Sequence, residues 1–237
     1  MSSWRGKWDV EPESAMVTFE ETRQPSGARL RTEFAAFFIV APLVMAIALP
    51  PERMFTMLFG LTAIGLLLLH MTPSFRWRDL LAGQERIRWL WVWAIGLLVL
   101  GFGAAFLWLT RPEELFQIAR QQPRLMLMIL LLYPLVSALP QEIVYRALFF
   151  RRFAPILPTA PRAGLLFNAV VFSMAHLMYW SGLVLLMTFL GGLAFAWAYE
   201  RHRSFPMAVL LHAAAGNAIF LVGLGVFFYS GNVVRPF

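Results

Sequence analysis

Cysteine is absent from this chain of 237 residues, which excludes disulfides and thiolate chemistry. Charge is also scarce, at 14% Asp, Glu, Lys and Arg against 59% hydrophobic residues. Alternation of apolar and polar residues at strand period is rare, which argues against an outer-membrane β-barrel. Several protease signatures are missing as well. There is no His-Glu-x-x-His zinc motif and no paired catalytic aspartates, and Ser137, Ser173 and Ser181 lack a Gly-x-Ser-Gly context. The first apolar run is followed by Pro50-Pro51-Glu52-Arg53, without the small residues of a signal-peptide cleavage site.

What the chain does have is long apolar runs, and a helix of about 20 apolar residues crosses a hydrocarbon core of roughly 30 Å. The runs predict an all-α, polytopic transmembrane bundle. About seven spans are expected: Phe34 to Leu49, Met54 to His70, Trp89 to Leu109, Leu125 to Phe150, Gly164 to Tyr179, Gly182 to Tyr199 and Phe205 to Phe228. An eighth element arises if Gly223 and Gly225 divide the last run. Residues 1–33 read as a polar cytoplasmic tail, in which Trp4 and Trp8 beside Arg5 and Lys7 suit a disordered segment or a bilayer surface. Residues 34–237 read as the membrane domain. Pro73 to Arg88, with aromatic and apolar residues among its charges, is expected to form a short interfacial helix.

The formal charge of +7 does not imply a nucleic-acid partner, because the arginines fall between the apolar runs. Fourteen positive residues lie in the tail and the loops after the second, fourth and sixth runs, against five on the other side. That bias places the N-terminus in the cytoplasm. A bacterial-type inner (plasma) membrane is the expected location.

Against this apolar background Glu142 is the one acid inside a span, in Pro140-Gln141-Glu142-Ile143-Val144-Tyr145-Arg146. An intramembrane carboxylate is costly and is by default a functional-site hypothesis. Arg146, four residues on, shares its helix face and can neutralise it. Pro134 and Pro140 remove backbone hydrogen bonds nearby and predict a kink beside a cavity. On the next span Asn168, Phe172 and His176 recur every four residues, and the last span carries His212 and Asn217 around Ala213-Ala214-Ala215-Gly216. Each feature has a plain packing explanation: an ion pair, a satisfied histidine, a small-residue helix contact. Together they match the needs of a hydrolytic site. Glutamate takes a proton from water, histidines orient that water or bind a metal, and asparagine donates to an oxyanion.

These residues resemble the motifs of the CPBP intramembrane proteases, also called the Abi family, which include CAAX prenyl endopeptidases and bacteriocin-processing relatives. The family's Glu-Glu-x-x-x-Arg, Phe-x-x-x-His and His-x-x-x-Asn correspond to Gln141-Glu142-Ile143-Val144-Tyr145-Arg146, Phe172-Ser173-Met174-Ala175-His176 and His212-Ala213-Ala214-Ala215-Gly216-Asn217. The resemblance covers roughly residues 125–228. It implies an endopeptidase that cuts a membrane-associated or lipid-modified protein or peptide in contact with the bilayer. In that reading Glu142 is the general base, held by Arg146. His176 orients water or ligates metal, and His212 and Asn217 stabilise the oxyanion, with Gln141, Asn168 and Phe172 accessory. A divalent metal such as zinc on His176, His212 and Glu142 is one form of such a site.

Two departures stand out. Gln141 occupies the position of the family's first glutamate, usually named as the water activator. Asn217 lies five residues after His212 rather than four, a turn of about 140° on an ideal helix, which a one-residue bulge near Gly216 would correct. Depth adds a difficulty: on straight spans Glu142 lies roughly 25 Å along one helix and His176 roughly 21 Å up the next, far apart. The alternatives are a silent scaffold or membrane chaperone, favoured by Gln141, and a transporter relaying protons through Glu142.

Overall fold

The computed structural model describes residues 25–73, 75–233 and 235; the expectations for Trp4 and Trp8 lie outside the described residues. All the regular structure among them is helical. Seven main helices follow in chain order: α1 (Gly27–Ile47), α2 (Met54–His70), α3 (Trp89–Thr110), α4 (Pro123–Arg152), α5 (Pro161–Met174), α6 (Gly182–Glu200) and α7 (Phe205–Val222). Five of them, α1, α3, α4, α6 and α7, are long and apolar enough to cross a membrane. The elements thus follow the seven apolar runs, while α2 and α5, at 17 and 14 residues, are shorter than a full span.

Two segments differ from the sequence expectation, and the last run divides at the glycines where that expectation allowed a division. The first helix begins at Gly27 rather than Phe34, because its polar start is satisfied. Ser26 caps it by accepting the Arg29 N–H at 3.3 Å, and Glu33 pairs with Arg29 at 2.8 Å and with Arg152 of α4 at 2.7 Å. The segment before α3 forms two short 3-10 turns, Trp77–Leu81 and Gln84–Arg86, instead of one interfacial helix. Ala82 is extended and Gly83 left-handed, which breaks the helix between them. At the other end α7 stops at Gly223, φ 108°, where a Cβ would lie 2.0 Å from the Glu114 carbonyl oxygen. Only glycine fits there. The four-residue helix Gly225–Phe228 follows, too short to be an eighth span.

α7 is the central helix, packed by α3, α4 and α6, and 56% of its apolar window is buried against 17% for α3. Beneath the arginine-rich end, Phe34, Phe38, Phe149 and Phe153 interlock edge to face with centroids 5.0 to 5.7 Å apart. The buried Arg152 guanidinium binds Glu33, the Thr72 hydroxyl and the Leu68 carbonyl, tying α1, α2 and α4 together. Donors matched in this way offset the cost of burying a guanidinium.

α4 and α5 position the site. α4 is widened to π geometry at Pro134–Ala138 and again at Ile143–Leu148, on either side of the short α-helical piece Leu139–Glu142. The prolines supply the cause, since each lacks the N–H that would continue the ordinary ladder. Such bulges gather at functional sites. α5 ends at Met174, the short turn Leu177–Tyr179 follows, and Trp180 in the left-handed region (φ 47°) sends the chain back into α6. Trp180 donates to the Ala46 carbonyl at 3.1 Å, and the Tyr179 hydroxyl contacts Met54 Sδ at 2.9 Å. This early end of α5 removes the depth conflict.

Candidate active site

Glu142 and Arg146 are fully buried on α4, with Arg146 Nε 3.2 Å from Glu142 Oε2. The other carboxylate oxygen, Oε1, is 2.9 Å from His212 Nδ1 on α7. Arg146 lies over the faces of Phe172 and Phe195, its Cζ 4.8 and 5.7 Å from their centroids. These cation–π contacts partly replace lost hydration. In the widened turn the Tyr145 carbonyl collects two donors, Arg146 Nη1 at 3.1 Å and Asn168 Nδ2 at 2.7 Å. Asn168 thus fixes the backbone that carries the arginine. The carboxylate and the guanidinium offset one another's charge, which lowers the cost of burying both.

The two inner histidines are held alike. His176 Nδ1 is 2.8 Å from the Phe172 carbonyl and His212 Nδ1 meets Glu142, so each ring donates from Nδ1 to an acceptor, and in the neutral form the lone pair is on Nε2. The His212 ring stacks on Phe195, with centroids 4.7 Å apart and planes at 11°, and meets Phe172 edge-on at 5.6 Å. His176 packs on the same Phe172 at 4.8 Å.

Both imidazoles line a cavity of about 770 Å³ between α2, α3, α4, α5, α6 and α7. Its walls are mostly apolar, and α4 contributes a polar stripe of Tyr133, Ser137 and Gln141. The Gln141 amide donates to the Ser137 hydroxyl at 2.9 Å. Glu142 and Arg146 do not line the cavity; they stand behind His212. The rim includes Leu98 and Phe102 of α3 and Leu186 and Leu190 of α6, all exposed. These two helices touch at the arginine-rich end through Trp91 and Trp197, with centroids 6.1 Å apart.

Asn217 is where the structure departs most from the sequence expectation. α7 is α-helical throughout Phe205–Val222, with no bulge at Gly216. Asn217 therefore turns away from His212 and donates to the Leu130 carbonyl of α4 at 3.1 Å, outside the cavity. In this geometry its amide does not point at His212, as the sequence expectation required.

Residues 123–218, about two fifths of the chain, match the family model described as Rce1-like, type II CAAX prenyl endopeptidase Rce1-like. The matched segment is similar to that family. It runs from the start of α4 into α7 and holds every residue of the constellation above, in agreement with the CPBP resemblance. No curated protein and no solved structure matches the chain. The apolar helices and the Rce1-like match together make this an integral, multi-pass membrane protein.

A metal fits the Rce1-like segment poorly. Among the described residues no group of three or more His, Asp or Glu side chains stands where it could share one ion. Glu142 stands behind His212, with Oε1 on the imidazole and Oε2 facing Arg146 at 3.2 Å without a hydrogen bond, and it does not line the cavity. That leaves two imidazole nitrogens, short of the three protein ligands usual at a catalytic zinc. Sequence reasoning also missed Tyr133 and Phe195. The four-residue spacing of Tyr133, Ser137 and Gln141 along an apolar helix was a signal for the stripe; nothing local announces Phe195.

Proposed function

We propose that this protein is an intramembrane endopeptidase in which His212, oriented by Glu142, activates water. The observation that carries the reading is the 2.9 Å contact between Glu142 Oε1 and His212 Nδ1 behind a cavity that His212 and His176 both line. Water held between the two Nε2 atoms gives one proton to His212 Nε2 as its oxygen attacks the peptide carbonyl. The carbonyl π electrons move to oxygen, and Glu142 balances the imidazolium that forms. When the tetrahedral species collapses, the C–N bond breaks and His212 returns its proton to the departing amine. His176 accepts a hydrogen bond from the attacking water and aligns it, and Arg146 and Asn168 keep Glu142 aimed.

Substrate enters from the bilayer in this reading, supported by the apolar rim between α3 and α6. The family description makes a prenylated CAAX peptide the first substrate to assay, beside unmodified membrane peptides. The test is incubation of purified protein in detergent with both, with products identified by mass. New termini at one internal bond support the reading. A folded protein that binds a peptide without cutting it supports the scaffold alternative, which Gln141 in place of a lining carboxylate favours.

A further inference from the structure

We infer that the Tyr133 hydroxyl is the donor that receives the oxyanion, in space that Gly216 leaves open; this rests on the hydrolytic reading above. Gly216 lies four residues after His212, on the same face of α7. The Tyr133 ring lies directly against it. A Cβ at position 216 would fall 2.1, 2.2 and 2.4 Å from Tyr133 Cε1, Cζ and Oη. Any other side chain there would expel the phenol.

Tyr133 lines the cavity and its ring centroid is 6.1 Å from that of His212. Phe220 meets the ring edge-on at 5.5 Å, so the phenol is held between two helices. Such a donor needs little reorganisation when charge develops beside it, which is what makes oxyanion contacts effective in a dry site. The nearby amide of Asn217 is spent on Leu130.

The stripe on α4 also directs the proton. Gln141 donates to Ser137 Oγ at 2.9 Å, and Ser137 lies one turn from Tyr133 on the same cavity-lining face of α4. A hydroxyl that accepts from Gln141 has its own proton to give to Tyr133 Oη, which leaves the Tyr133 O–H for the cavity. The polarity runs Gln141 to Ser137 to Tyr133 to substrate. No proton leaves Tyr133 during the reaction; its O–H only shortens onto the negative oxygen.

The experiment compares the full chain with Tyr133→Phe on whichever peptide the native protein cleaves. Phenylalanine keeps the ring against Gly216 and removes only the donor. The expected result is a fall in kcat of about 10²–10³-fold with KM and melting temperature unchanged. Binding of a phosphinate peptide, a tetrahedral mimic, weakens by the same factor, while affinity for an uncleaved peptide holds. Ser137→Ala moves both readouts in the same direction by less. In a Tyr133→Ala background, Gly216→Asn returns a donor one turn from His212 and recovers part of kcat. Full kcat in Tyr133→Phe, or a loss that only follows the amount of folded protein, overturns the assignment and leaves the hydrolytic reading intact. A native protein that cleaves no peptide overturns both.

Discussion

Glu142 Oε1 and His212 Nδ1 are 2.9 Å apart although 70 residues separate them in the chain. The contact joins α4 to α7 and fixes which imidazole nitrogen faces the cavity. It also moves the acid from direct contact with water to a position behind the histidine.

Glu142→Gln is therefore expected to cost far more than a hydrogen bond. An amide cannot hold the His212 tautomer or balance an imidazolium, and the comparable change in serine proteases lowers kcat about 10⁴-fold. Arg146 is left without its counter-charge as well, at about 3–5 kcal/mol for a broken buried pair. Cleavage per folded molecule, measured beside thermal unfolding, separates the two effects. Native turnover in folded Glu142→Gln would remove the carboxylate from the mechanism.

For Asn217→Ala the expectation is the reverse. The side chain bonds Leu130 O, and losing that hydrogen bond costs roughly 0.5–1.5 kcal/mol. Melting temperature falls while kcat stays within a few-fold of native. A kcat loss of a hundredfold or more with no loss of stability would return Asn217 to the site.

Chelation gives a third check. Since Glu142 is held by His212 and Arg146, peptide cleavage is expected to survive prolonged dialysis against a strong divalent-metal chelator. Loss of cleavage that zinc alone restores would contradict this.

Orientation can be read directly because the chain has no native cysteine. With the N-terminus cytoplasmic, a cysteine at the exposed Ala160, before α5, reacts with an impermeant thiol reagent only after cells are opened. One at the exposed Gln122, before α4, reacts in intact cells. The opposite pattern would invert the topology.

Much of the fold was legible because apolar runs measure helices directly, and Glu142 with Arg146 was legible because four residues is one helical turn. Contacts between helices were not. Whether His212 meets Glu142 depends on the phase of α7 against a doubly widened α4, and the phase shift comes from backbone hydrogen bonds that Pro134 and Pro140 remove. The direction of the Asn217 amide was illegible for the same reason. The motif spacing asked for a bulge in α7, but the widening lies in α4, and Gly216 serves a neighbouring ring instead of a break in its own helix. At α1 the charges of Arg29 and Glu33 read as tail because the second partner of Glu33, Arg152, is distant in sequence.

The size of the cavity sets a condition on whatever is cut. At about 770 Å³, it is of the size that holds a small ligand, roughly 300–1,000 Å³, and far short of the ~30 Å run of a 20-residue spanning helix. An intact membrane helix therefore cannot lie in it with its length inside. Only a few residues, drawn out as an extended strand, reach the histidines, and doing so gives up helical hydrogen bonds that are expensive to lose in lipid. Cleavage rates should then track how readily a segment frays, so that loose chain ends and glycine- or proline-weakened stretches are consumed first, whatever their exact sequence.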